Sequence, residues 1–313
     1  MEINEKNGKY LTVNMFILLH FNMNIILYKY LSPELSGFSK DTQGKDIPGF
    51  FPNFIVSFTA PNAFNDPFEC QPILEVSKSD YIRYLGSHHA YIEEEERLRR
   101  NGYKANKVSV KKSLRSLKAN IRNNKNWEDL IKKRLNDVWE NHKKNVRILS
   151  LSKEYDNPLM WAHYADSHKG FVVGIKSEFF SILEKDIGGN EWGLKEVEYS
   201  DDKILVNPYS DITVNSNNEC VLNLMRVYYK KSMCWSYEKE VRFAGYVEGA
   251  PEHLLKAIDP IYVSEIRLGL KMKEELKRNI TKFCQEKYPH IEIYDTTMMQ
   301  DKYKLVFSEI GKI

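Results

Sequence analysis

The 313-residue chain has only four cysteines, Cys70, Cys220, Cys234 and Cys284, and no Cys-x-x-Cys pair. That scarcity excludes a zinc ribbon and a disulfide-framed secreted scaffold, and it predicts buried thiols. Long apolar runs are missing as well. The one stretch of that kind, Leu11 to Leu27, is interrupted by Asn14, His20, Asn22 and Asn24, which are costly in hydrocarbon, and it lacks the basic flank and small-x-small site of a signal peptide. It reads as part of an N-terminal extension over 1–22, with Met23 as an alternative start, and the expectation is a cytoplasmic protein with no membrane partner. No internal repeat or low-complexity tract occurs, and 42% apolar with 28% charged residues excludes wholesale disorder.

What the chain does have is size, and a lopsided distribution of charge. A length of 313 residues exceeds what one core comfortably closes, so one α+β domain over 23–310 carrying an insertion at about 80–145 is expected. Arg97 to Arg147 holds 17 Lys/Arg against 4 Asp/Glu, a net +13, while the whole chain is only +3. Val110, Leu114, Leu117 and Ile121, then Trp127, Leu130, Ile131, Leu135, Val138 and Trp139, recur at helical spacing, which predicts two amphipathic helices preceded by a third over Tyr81 to Arg100.

Outside that stretch the pattern turns to short β-branched or aromatic runs bounded by turn residues. Strands are predicted over 24–30, Ile55 to Thr59, Val146 to Ser152, Phe171 to Ile175, Lys195 to Tyr199, Val241 to Tyr246, Ile261 to Leu268, Ile291 to Tyr294 and Lys304 to Phe307. Helices are predicted at Pro158 to Ala165, with Asn157 as cap and Pro158 in the first turn, at Glu219 to Met233 and at Lys273 to Lys287. The expected core is a mixed or split β-sheet.

Four blocks concentrate aromatic, acidic and imidazole groups. In Leu27-Tyr28-Lys29-Tyr30, strand alternation puts Tyr28 and Tyr30 on one face and Lys29 on the other, an arrangement that also serves plain packing. Phe64-Asn65-Asp66-Pro67-Phe68-Glu69 is a turn with two carboxylates three residues apart, and turns joining sheet to helix are where functional groups are mounted. Leu159 to Gly170 carries Trp161, His163, Tyr164 and His168; the histidines are five apart with no third ligand nearby, so no metal is expected. In Trp235 to Phe243, a continuous strand would line Glu238, Glu240 and Arg242 along one face, either as a site that stabilises developing positive charge or as a solvated edge.

Together the blocks resemble a bacterial family, domain of unknown function 2971: Leu-Tyr-Lys-Tyr at 27–30, Phe-Asn-Asp-Pro-Phe-Glu at 64–69, Leu-Met-Trp-Ala-His-Tyr-Ala at 159–165 with His-Lys-Gly at 168–170, and Trp-x-Tyr-Glu-Lys-Glu-x-Arg at 235–242. The Glu-x-Glu at 238–240, with an early aromatic or basic strand and a middle His/Tyr block, is more weakly similar to ADP-ribosyltransferases. That second resemblance implies NAD as substrate, Glu240 on the ribose 2′-hydroxyl, Glu238 positioning the acceptor, and Tyr28 or Tyr30 holding the dinucleotide. His163 and Tyr164 would stack on nicotinamide or orient the ribose, with Lys29, Asn65, Asp66, Glu69, Trp161, His168 and Arg242 as further binding residues. The chain departs from the pattern in lacking a clear middle Ser-Thr-Ser and in having Tyr-Lys-Tyr where Arg or His is common. Two other expectations stand beside it: an effector that contacts nucleic acid or a protein acceptor through the basic residues 97–147, and a hydrolase using Asp66, Glu69 and His163 as acid and base.

Overall fold

The computed structural model describes residues 25–38, 49–124, 126–187, 193–207, 209 and 224–311. Its elements run β1 (Ile26–Leu31), β2 (Ile55–Thr59), β3 (Ile73–Leu74), α1 (Lys78–Tyr84), α2 (His88–Arg100), α3 (Lys107–Asn123), α4 (Trp127–Lys143) and β4 (Val146–Ser152). They continue with α5 (Pro158–Tyr164), β5 (Phe171–Lys176), α6 (Glu178–Ile187), β6 (Gly193–Glu196), β7 (Glu198–Tyr199), β8 (Leu205–Val206), β9 (Lys230–Lys231) and β10 (Glu240–Tyr246). The last are β11 (His253–Ala257), β12 (Val263–Leu268), α7 (Glu274–Lys287), β13 (Glu292–Met298) and β14 (Leu305–Glu309). The chain divides into two compact units: Met1–Pro67, Asn145–Tyr199 and Lys231–Ile313 form the first, and Phe68–Lys144 with Ser200–Lys230 form the second.

The first unit is built on a ten-stranded sheet with the order β11-β2-β4-β1-β5-β12-β13-β14, with β10 branching from β4 and β6 pairing with β10. All neighbours in it are antiparallel except β12 and β13, so the protein is α+β with a mixed, largely antiparallel sheet. The sheet splits at β4. One edge of β4 pairs with β10 along its whole length; the other touches β2 only at Ile148 and β1 only at Ser152. Between those two points Lys29 Nζ donates to the carbonyl of Ser150 at 3.0 Å, partnering an acceptor on the stretch that neither strand reaches.

Alternation along the strands explains the core. Leu27 and Leu31, Leu149 and Leu151, Phe171, Val173 and Ile175, and Val241 and Phe243 all enter one apolar cluster with Phe50, Phe51 and Phe54. Helices α6 and α7 close it with Phe179, Phe180, Leu183, Ile280 and Cys284. The intervening residues, Tyr28 and Tyr30, Ser150 and Ser152, and Glu240 and Arg242, are thereby left for the opposite face.

In the second unit, Val110, Leu114, Ile121, Ile131 and Leu135 bury the predicted stripes of α3 and α4 against Tyr81, Tyr84 and Tyr209. The helix expected over Tyr81 to Arg100 is two helices: Ser87 accepts from the Ala90 N–H and starts a new one. Of Glu219 to Met233, residues 219–223 lie outside the described residues, and the described part holds only short helical turns and β9 instead of one helix. The run from Ile261 begins as a 3-10 turn over Pro260–Tyr262, capped by Asp259, before β12. The run Lys195 to Tyr199 is two strands, β6 and β7, broken at Val197. Cys70 and Cys284 are buried as expected, Cys234 is exposed, and Cys220, like the extension 1–22, lies outside the described residues. Among the described residues no helix is long and apolar enough to cross a membrane.

Candidate functional site

Strand β10 begins at Glu240 because Lys239 takes a left-handed conformation (φ 45°) after the 3-10 turn Met233–Glu238. The single strand face expected for Glu238, Glu240 and Arg242 is therefore corrected: Glu240 and Arg242 alternate on β10, whereas Glu238 reaches the same neighbourhood from the turn. All three are buried, at 5%, 1% and 2% exposure respectively. Arg242 grips Glu240 with both arms, Nε to Oε1 at 2.7 Å and Nη2 to Oε2 at 2.9 Å. Lys231 Nζ lies 2.7 Å from Glu238 Oε2 and 3.4 Å from Glu240 Oε2, bridging the two carboxylates.

Their acidities diverge. Burial raises the Glu238 carboxyl above its ordinary value, and the nearby Lys231 and the Tyr164 hydroxyl do not offset it. Against the same burial, Arg242 first and then Lys231 hold Glu240 down at about 2. Burial lowers the Lys29 amine to about 8, with the Glu240 charge opposing that shift. The backbone N–H of Glu240 donates to the Tyr199 hydroxyl at 2.8 Å.

Helix α5 packs on this face because its sequence starts it there. Asn157 accepts from the Leu159 N–H, Pro158 fills the first turn, and the Asn157 amide donates to the Tyr237 carbonyl at 3.0 Å, tying the helix to the 3-10 turn. Met160 and Trp161 then cover Tyr28 and Tyr30, with Tyr30 and Trp161 rings edge-to-face at 5.6 Å. One turn on, the Tyr164 hydroxyl donates to Glu238 Oε1 at 2.6 Å and is also bonded by Asn65. Exposed His163 lies 6.3 Å from the ring of Trp235, whose face carries the Lys231 ammonium at 4.7 Å. Trp235 and Tyr237 are 6.1 Å apart, so Tyr164, Trp235 and Tyr237, each half-buried, and His163 form a rim beside a charged floor.

The four sequence blocks converge here. Ser152 is register partner of both Tyr28 and Glu240, and Arg242 lies over the ring of Phe64 at 5.3 Å. Other residues stand apart. Tyr28 also bonds Glu265, which holds Arg267 at 2.8 Å, and the Arg267 guanidinium packs on the Tyr155 and Tyr294 rings at 3.6 and 4.2 Å. His168 stacks on Trp161 at 6.2 Å, and burial lowers its pKa below the ordinary imidazole value. Asp66 and Glu69 are both buried, the first in the first unit and the second in the other. Among the described residues no group of three or more His, Cys, Asp or Glu is placed to hold a metal ion. Lys231 and Tyr199 went unnoticed in sequence: neither sits in a block whose spacing marks it.

Residues 160–243 match the family model described as Protein of unknown function (DUF2971). That stretch spans α5 through the first half of β10, and it contains Tyr164, Lys231, Glu238, Glu240 and Arg242. No curated protein and no solved structure matches the chain.

Proposed function

We propose that this site binds a nucleotide and cleaves NAD at the nicotinamide–ribose bond, passing the ADP-ribosyl group to water or to an acceptor. The observation that carries the reading is the half-buried aromatic rim of Tyr164, Trp235 and Tyr237 joined directly to Glu238 by the 2.6 Å Tyr164 bond. Planar rings stack on such a rim, and a carboxylate at its foot suits ribose hydroxyls and an oxocarbenium-like centre. In the reaction the C1′–N bond breaks, nicotinamide leaves with the bond pair, and the oxygen of water or of the acceptor bonds C1′ as its proton passes to the Glu238 carboxylate. Glu238 is the working carboxylate in this reading. Glu240, gripped at both oxygens by the Arg242 guanidinium and held strongly acidic by it, is a positioning residue that fixes Lys231, whereas burial raises the Glu238 carboxyl and makes it the better proton acceptor of the two.

Incubation with NAD and chromatographic assay of nicotinamide tests it. Release by the wild type, lost in Glu238→Gln with an unchanged circular dichroism spectrum and with KM raised in Trp235→Ala, is the expected result. Absence of both nicotinamide release and calorimetric NAD binding in the wild type removes the reading.

A further inference from the structure

The activity proposed above makes no use of the basic helices. Helix α3 contains six cations, Lys107, Lys111, Lys112, Arg115, Lys118 and Arg122, and no Asp or Glu. Five of them, at 107, 111, 115, 118 and 122, follow steps of four, four, three and four. At about 100° per residue these steps keep all five within roughly 80° of arc, in a straight stripe about 22 Å long. Four of the five are exposed and Lys118 is half-buried. Among the described residues none of the five has an ion-pair partner. The pairs nearby use other residues: Arg97 is held by Glu94 and Arg134 by Glu93.

We propose that this stripe binds the phosphodiester backbone of a nucleic acid. Unopposed cations about one helical turn apart repel one another, by a few tenths of a kcal/mol for each i, i+4 pair. An anionic polymer that supplies charge continuously relieves that repulsion, and its counterions are released on binding. The positive end of the helix dipole, at Lys107, adds to the same field. A membrane surface fits less well, because an interfacial helix must offer an apolar face to the acyl boundary. Here that face is spent inside the protein: Val110, Leu114 and Ile121 are buried, and Leu117 packs beside them. With no groove-reading loop or base-edge donors implied by the stripe itself, recognition is of the backbone and is independent of sequence.

Fluorescence anisotropy of the full chain with labelled 30-mers of duplex DNA, single-stranded DNA and RNA tests this across 50–200 mM salt. Five phosphate contacts predict a slope of log K against log salt of about −4.5 on duplex, which is roughly 500-fold weaker binding over that range. The triple variant Lys111→Gln, Arg115→Gln, Lys118→Gln should flatten the slope by about 2.7. A triple variant of equal charge loss in the first unit, Lys273→Gln, Lys302→Gln, Lys304→Gln, should leave it unchanged. The end pair Lys107→Gln, Arg122→Gln should flatten it by about 1.8, which guards against a fold defect peculiar to the central triple. Which polymer binds most tightly distinguishes the source of the phosphates, and any of the three supports the proposal. Equal losses in the stripe and control variants, an unchanged slope in both stripe variants, or retention by phosphatidylserine vesicles without retention by nucleic acid overturns it.

Discussion

Glu240 shows how a single carboxylate stabilises a fold only while it is charged. Its folded pKa of about 2 lies below the ordinary 4.5, so its contribution is fully present above pH 4.5 and is lost as pH falls toward 2. The shift corresponds to about 3 kcal/mol. Urea unfolding at stepped pH should therefore show wild type and Glu240→Gln converging as pH falls through that window. At pH 7 the variant should be less stable by about 3–5 kcal/mol, since Arg242 and Lys231 lose their shared anion; a loss below 1 kcal/mol would show that the network carries no stability. Lys29 works with the opposite sign. With its amine near 8 against an ordinary 10.5, folding bears a cost below pH 8 that disappears as pH rises to 10.5. Amine acylation read by mass spectrometry should titrate at Lys29 near pH 8, and half-reaction above pH 10 would contradict the burial that lowers it. Both residues were legible in sequence as candidates. Arg242 was legible too, two residues along the same strand, but Lys231 and Ser150 were not, because they come from segments whose only link to Glu240 is three-dimensional.

At the scale of elements, helix α5 and the turn after it are held by features that substitution can remove singly. Asn157→Ala should cost about 1 kcal/mol for the cap, and more because the amide also donates to the Tyr237 carbonyl; Asn157→Asp, which keeps the cap acceptor but loses that donor, separates the two in urea unfolding. Beyond α5, Asp166, Ser167 and His168 are successively left-handed at φ 43°, 55° and 72°. Gly170 follows, and a Cβ there would lie 2.0 Å from the Leu31 carbonyl oxygen. Gly170→Ala should accordingly part β1 from β5 and yield insoluble or unfolded protein, whereas a soluble variant with native circular dichroism would show that the backbone can yield. Elements with strong local periodicity, such as α3, α4, α7, β4 and β5, were readable from spacing alone. Strand β11 was not, since its alternate residues are exposed and its run is short. Helix α6 carried a usable signal in Phe179, Phe180 and Leu183. The misreading of Glu238 came from extending alternation through Lys239, where one left-handed residue resets the register.

For the whole molecule, the chain crosses between its two units four times, and each unit has its own apolar cluster. Local periodicity cannot show that Leu205–Val206, Tyr209 and Tyr228 pack with elements of 68–144, and the sequence reading accordingly places only residues at about 80–145 in the insertion. Two cores of different composition predict that unfolding depends on the probe. Trp161 reports the first unit, its indole N–H donating to the Tyr155 carbonyl at 2.7 Å. Trp139 reports the second, donating to the Cys70 carbonyl at 3.1 Å and stacking on Tyr228 at 5.4 Å. Single-tryptophan proteins retaining one or the other should give different urea midpoints. Salt provides the sharper discrimination, because the unopposed cations of α3 repel along the helix and screening relieves them. The Trp139 midpoint should rise between 50 mM and 500 mM sodium chloride by more than the Trp161 midpoint. Coincident midpoints that move together with salt would instead require that the two cores unfold as one cooperative body, despite their separate packing.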